Sequence, residues 1–119
     1  QGGIDKGEEP REAALRELAE EIGTDQARII AEAGEWHAYD LPVELSRKVW
    51  KGRYRGQTQK WFLLRFEGED TDIRLDAHHQ EFAAWKWAPL DRLQEMIVPF
   101  KREIYAKVIA EFAPVIKGL

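Results

Sequence analysis

Three glutamates, Glu17, Glu20 and Glu21, stand at i, i+3 and i+4 in the run Arg16-Glu17-Leu18-Ala19-Glu20-Glu21-Ile22-Gly23. On a helix that spacing puts them on one face, opposite or beside the Leu15, Leu18 and Ile22 stripe. Like charges so placed destabilise a helix by roughly a few tenths of a kcal/mol per pair. A sequence selected for stability alone would set a lysine among them. Read alone, the row is a solvated acidic face. Read as chemistry, it is a hard-cation site: oxygen donors and no soft ones, favouring Mg2+ or Mn2+ over zinc. Three such carboxylates can hold more than one ion, and two ions can clamp the attacking and leaving oxygens of a phosphoryl displacement.

Local signals set the elements that must carry this row. Residues 1–9 are Gly-rich and acidic and read as a loop. Pro10 suits the first turn of a helix and Gly23 its C-terminal cap, so a helix is expected between them. Residues 27–33 and 36–41 read as short extended pieces, and 43–59 as a long basic loop with a helical turn near 43–48. The apolar run 61–66 is the strongest strand. A polar connection over 67–80 carries a short strand at 73–75, and 82–87 reads as another strand. A short helix follows Pro89, and a last helix spans about 99–112, stopped by Pro114. Its stripe is Phe100, Ile104, Val108, Ile109 and Phe112. Helices and strands around one core imply a mixed α/β layered domain over residues 1–119.

Composition bounds the function. With 44% hydrophobic and 34% charged residues, neither disorder nor a membrane protein is indicated. No run approaches the roughly 20 apolar residues of a membrane helix. The absence of cysteine excludes disulfides, thiol chemistry and Cys-ligated metals, and makes a cytoplasmic setting the default. The net charge of −4 is uneven: Leu45 to Phe66 holds seven bases and no acid, whereas Asp5 to Glu21 holds seven acids. Such a pairing suits a polyanion held against metal ions. Trp50 and Tyr54, set among the bases, could stack on nucleobases. The chain opens Gln1-Gly2-Gly3 without Met, directly on its most informative motif, so the sequence is expected to begin partway through a natural domain.

With its upstream loop the acidic row becomes far more specific. Gly2, five residues, Glu8, seven residues, Arg16-Glu17-Leu18, one residue, Glu20-Glu21, one residue and Gly23 resemble the Nudix box. Thr24 departs from the aliphatic residue expected there. The resemblance implies an α/β/α sandwich with a mixed sheet, lacking here the strands that precede the box. It implies Glu17, Glu20 and Glu21 as metal ligands, a carbonyl near Gly2 as another, and a glutamate as base for the attacking water. Glu8 and Arg16 would pair and orient the helix, and Gly2 and Gly23 would allow its tight turns.

Further blocks resemble one branch of that family, the bacterial RNA pyrophosphohydrolases, also described as dinucleoside polyphosphate hydrolases. They are residues 2–8, 36–42, 56–64, Glu81-Phe82 with Trp85-Lys86-Trp87, and Phe100-Lys101-Arg102 with Tyr105. Glu81 alone reads as a surface carboxylate; the resemblance makes it a fourth metal-site group, ligand or base. Glu17 is our first choice of base and Glu81 the second. Gln57, Gln59 and Lys60 lie at a strand entrance and would grip phosphate oxygens. Phe100 would stack on a base, with Lys101 or Arg102 on phosphate. His78 and His79 read as surface residues, and His37 has no evident partner. The expected substrates are triphosphorylated or diphosphorylated 5′ RNA ends, or dinucleoside polyphosphates, hydrolysed with Mg2+ or Mn2+. A non-catalytic RNA- or nucleotide-binding module is the rival of a different class. Neither a membrane nor DNA is an expected partner.

Overall fold

The computed structural model describes residues 2–40, 42, 44, 56–78, 80 and 82–119, with Gln57 described in its backbone alone. Helix α1 runs Pro10–Ile22, with Pro10 where a missing N–H costs nothing. It ends on Gly23 at φ 74°, whose N–H donates to the Ala19 carbonyl at 2.9 Å. A Cβ at Gly23 would strike the Arg74 carbonyl and lie 2.7 Å from the Arg74 Cβ, so both conformation and space favour glycine there. The Arg74 N–H donates to the Ile22 carbonyl, satisfying one of the last acceptors of the helix. Thr24 also finds local work, its hydroxyl accepting from the Gln26 N–H at 3.2 Å in the turn that follows.

Strand β1 (Ala27–Glu32) pairs with β4 (Phe62–Phe66), and β2 (His37–Asp40) with β3 (Gly56–Gln59). Hydrogen bonds from Ala33 N to Trp61 O and from Glu67 N to Gln26 O bracket the first ladder, so its strands run antiparallel. The second is antiparallel with His37 opposite Gln59 and Tyr39 opposite Gln57. The described strands thus form two separate two-stranded ladders rather than one mixed sheet, within the expected α/β class.

Four expectations need correction. Residues 56–59 are a strand rather than loop: Gly-Gln-Thr-Gln has no apolar alternation, and its extended form comes from pairing with β2. Residues 73–75 are not a strand; a 3-10 turn at Asp70–Asp72 precedes them, closed by the Glu69 N–H on the Asp72 carboxylate at 2.8 Å. Residues 82–87 form no strand among the described residues, and all are exposed. Pro114 does not stop the last helix. Following a 3-10 turn at Leu90–Arg92, helix α2 spans Leu93–Met96; a second such turn at Pro99–Lys101 leads into α3, Arg102–Lys117. Pro114 sits inside α3, in its last turns, and takes one backbone donor from the helix ladder there. The helical turn expected near 43–48 falls almost wholly outside the described residues, as do Trp50 and Tyr54.

Contacts group the chain into two units: residues 1–31 with 62–87, and residues 32–61 with 88–119. In the first, Ala13 is buried and the Leu15, Leu18 and Ile22 stripe is half-buried. An apolar hollow of about 310 Å³ lies there, lined by Leu18, Ile22, Leu64, Phe66, Ile73 and Trp87 among others. In the second, Ala33, Ile104, Val108 and Phe112 are buried, the last three at the helical spacing of α3. Burial of each such large side chain contributes about 2 kcal/mol. Trp61 packs edge-on against Tyr105, ring centroids 5.1 Å apart. Among the described residues, no helix is long and apolar enough to cross a membrane.

Candidate active site

In the first unit one arginine gathers the acidic array. Arg16 grips Glu8 with two parallel bonds, Nε to Oε2 at 2.9 Å and Nη2 to Oε1 at 3.0 Å. Nη2 also donates to the Gly3 carbonyl at 2.8 Å. Nη1 reaches Glu17 Oε1 at 2.9 Å and the two Glu20 oxygens at 3.3 and 3.4 Å. The guanidinium therefore joins the loop before α1 to the first turns of its acidic face. Glu8 is fixed further by the Asp5 N–H, which donates to Oε1 at 3.0 Å. The Arg16 hydrogen bonds, and after them that N–H, hold the Glu8 carboxyl below the usual carboxylate range. In return Glu8 raises the already high pKa of Arg16, with Glu17 and Glu20 contributing in the same direction.

Gly2 lies against Glu17. A Cβ at Gly2 would overlap the Glu17 carboxylate where it now stands. Gly2, Glu8, Arg16, Glu17 and Glu20 are thus brought together, with Glu21 part-exposed one residue further along α1. Among the described residues, no three His, Asp or Glu side chains converge as a ready cage for an ion. The donor chemistry nonetheless suits a hard cation: carboxylate oxygens on one helix face, and a glycine backbone beside one of them. Glu17, Glu20, Glu21 and the Gly2 carbonyl are the groups that could hold it. Glu81 and His79 lie outside the described residues, and His78 is exposed. The apolar hollow lies behind the Leu18 and Ile22 stripe and has no carboxylate in its lining.

The second unit holds the remaining candidates. Phe100 stacks at a tilt on Tyr39, centroids 5.9 Å apart, and Lys101 Nζ stands 5.7 and 5.8 Å from the two ring centroids. Arg102 is exposed at the start of α3. Tyr39 stands in one of the family-resembling blocks but carries no assigned role there; the alternation of β2 sets His37 and Tyr39 on its more buried side. Burial, and secondarily the charge of Tyr39, raise the pKa of Tyr105. Gln57 and Gln59 sit on β3 opposite Tyr39 and His37. Lys60 is turned inward: Nζ donates to the Ala33 carbonyl at 2.5 Å and lies 3.6 Å from Glu32 Oε2. His37 does have a neighbour, Glu111 Oε1 at 3.9 Å from its Nε2, while Glu111 Oε2 accepts from the Gly34 N–H at 2.9 Å.

A family model described as NUDIX domain matches residues 1–108. The chain is 59% identical over 119 residues to an RNA pyrophosphohydrolase of Novosphingobium aromaticivorans, covering 98% of this chain and 74% of that protein. It is 55% identical over 114 residues to the RNA pyrophosphohydrolase of Roseobacter denitrificans, covering 94% and 71%. The corresponding protein of Wolbachia pipientis subsp. Culex pipiens is 51% identical over 119 residues, covering 99% and 74%.

Proposed function

Because the chain belongs to the NUDIX family, we propose that it hydrolyses phosphoanhydride bonds and removes pyrophosphate from the 5′ ends of RNA. Water attacks a phosphorus of the 5′ polyphosphate and one P–O bond breaks. A triphosphorylated end becomes a monophosphate with release of pyrophosphate; a diphosphorylated end releases phosphate. The observation that carries this reading is the fork of Arg16, which draws Glu8, Glu17, Glu20 and the Gly3 carbonyl into one array.

Each group has a role in the proposal. Glu17, Glu20, Glu21 and the Gly2 carbonyl hold a divalent cation, Mg2+ by preference and Mn2+ as a substitute. Bound there, the cation supplies neutralising charge to phosphate oxygens. Glu17 takes the proton of the attacking water, with Glu81 the alternative base. Arg16, fixed by Glu8, keeps Glu17 and Glu20 in place. In the second unit, Phe100 and Tyr39 offer ring faces for a base, and Lys101, Arg102 and Gln59 offer donors to phosphate. The inward bonds of Lys60 favour a supporting role for it over phosphate contact.

Two substitutions test the reading. Glu20→Gln or Glu21→Gln should abolish Mg2+-dependent pyrophosphate release and retain RNA binding. Unchanged turnover would reject the carboxylate assignment. Binding without turnover in the unaltered protein would make it an RNA-binding module instead. Parallel assays of triphosphorylated RNA and diadenosine tetraphosphate at equal concentration decide which anhydride is preferred.

A further inference from the structure

The guanidinium of Arg16 works as two halves. Nε and Nη2 are anchored, on Glu8 at 2.9 and 3.0 Å and on the Gly3 carbonyl at 2.8 Å. Nη1 alone reaches forward, to Glu17 and Glu20. If the forward contacts are given up, three hydrogen bonds still fix the group. The forward contacts also hold together two like-charged side chains that would otherwise repel.

Glu17 and Glu20 are the same carboxylates that the proposed function assigns to a divalent cation. Mg2+ sits about 2.0–2.1 Å from its oxygen ligands. A guanidinium N–H aimed at that oxygen pair would then face the ion at short range, where like charges repel strongly. The ion and Nη1 compete for one pair of carboxylates. Resting on that functional reading, we propose that Arg16 is a positioning residue acting by exchange. Nη1 keeps Glu17 and Glu20 converged and yields them to the incoming cation, while Nε and Nη2 stay on Glu8 and Gly3. The loop before α1 keeps its anchor throughout, so the change is confined to one half of one side chain.

The exchange has a signature opposite to that of a plain strut. A strut that merely orients ligands weakens cation binding when shortened, by about 10–100-fold for residues that support a metal site. Removing a competitor tightens it. Arg16→Lys keeps one positive charge for Glu8 and lacks the forward N–H group. Titrated with Mn2+ alone and followed by electron paramagnetic resonance, Arg16→Lys is expected to bind several-fold more tightly than the parent. Equal or weaker binding overturns the exchange.

A measurement on the unaltered protein guards against a variant that fails to fold. In a Mg2+ titration followed by nitrogen-15 resonances of the guanidinium, the Nη1 signal should move and the Nε signal should stay. A stationary Nη1 signal at saturating Mg2+ overturns the proposal. Glu20→Gln separates the two levels: Mn2+ affinity unchanged by that substitution removes the carboxylate reading on which the exchange rests. Affinity lost in Glu20→Gln but not gained in Arg16→Lys removes the exchange alone.

Discussion

Gly2 stands where a Cβ would overlap the Glu17 carboxylate. The group that a Gly2 Cβ would strike is the far end of a flexible side chain, so Gly2→Ala should displace the carboxylate rather than the backbone. A displacement of about 1 Å at a reacting group costs about 100-fold in rate. Gly2→Ala is therefore expected to keep the parent's thermal midpoint and to lose about 100-fold in kcat/KM. A large fall in the midpoint would instead put the strain in the fold. Two titrations run in opposite directions. Glu8 has a lowered pKa, so its grip on Arg16 contributes above the ordinary carboxylate range and is lost as pH falls through the lowered value. Tyr105 has a raised pKa, first from burial. Its neutral form is favoured in the folded chain, so this contribution is full below about pH 10 and is lost as pH rises through the raised value. Phenolate absorbance should show a late-ionising component that Tyr105→Phe removes. A late part of the titration left unchanged by Tyr105→Phe would contradict it.

At the scale of elements, Lys60 offers the sharpest test. Its Nζ satisfies the carbonyl of Ala33, a residue only 1% exposed. Lys60→Met leaves that acceptor without its partner and is expected to cost about 1–3 kcal/mol in urea denaturation. A variant as stable as the parent, with a raised KM for RNA, would return Lys60 to phosphate binding. The same lysine shows where legibility ends. Helix α1 could be read from Pro10, Gly23 and the 3.6-residue spacing because each of these acts within a few residues. The acidic face was legible for the same reason, and β4 through its apolar run. Whether Lys60 points at substrate or at Ala33, 27 residues away, depends on how distant chain segments meet. Strand β3 was missed likewise: polar Gln57-Thr58-Gln59 becomes a strand only through its register with β2. Conversely, the large residues Phe82, Trp85 and Trp87 suggest a strand over 82–87, yet among the described residues that segment has no ladder partner. Phe82 is 47% and Trp87 62% exposed.

For the molecule as a whole, the charge pattern governs how a polyanion is met. The net charge is −4, yet residues 45–66 carry only bases. RNA affinity should fall with salt, log K against log salt having a slope of about −0.7 for each phosphate neutralised on a single strand. Replacing both Lys101 and Arg102 with alanine should flatten that slope by about 1.4 if each neutralises one phosphate. An unaltered slope would take both away from the RNA backbone. The second unit adds a consequence of its own. It is assembled from residues 32–61 and 88–119, and three of its links, Gly34 to Glu111, Tyr39 to Phe100 and Trp61 to Tyr105, tie the earlier stretch to the later one. On a ribosome, β2 and β3 emerge well before α3. A nascent chain arrested ahead of Pro99 would hold the rings of Tyr39 and Trp61 without Phe100 and Tyr105, the residues that pack on them, a state in which chaperones rather than packing must keep the polypeptide from sticking to its neighbours.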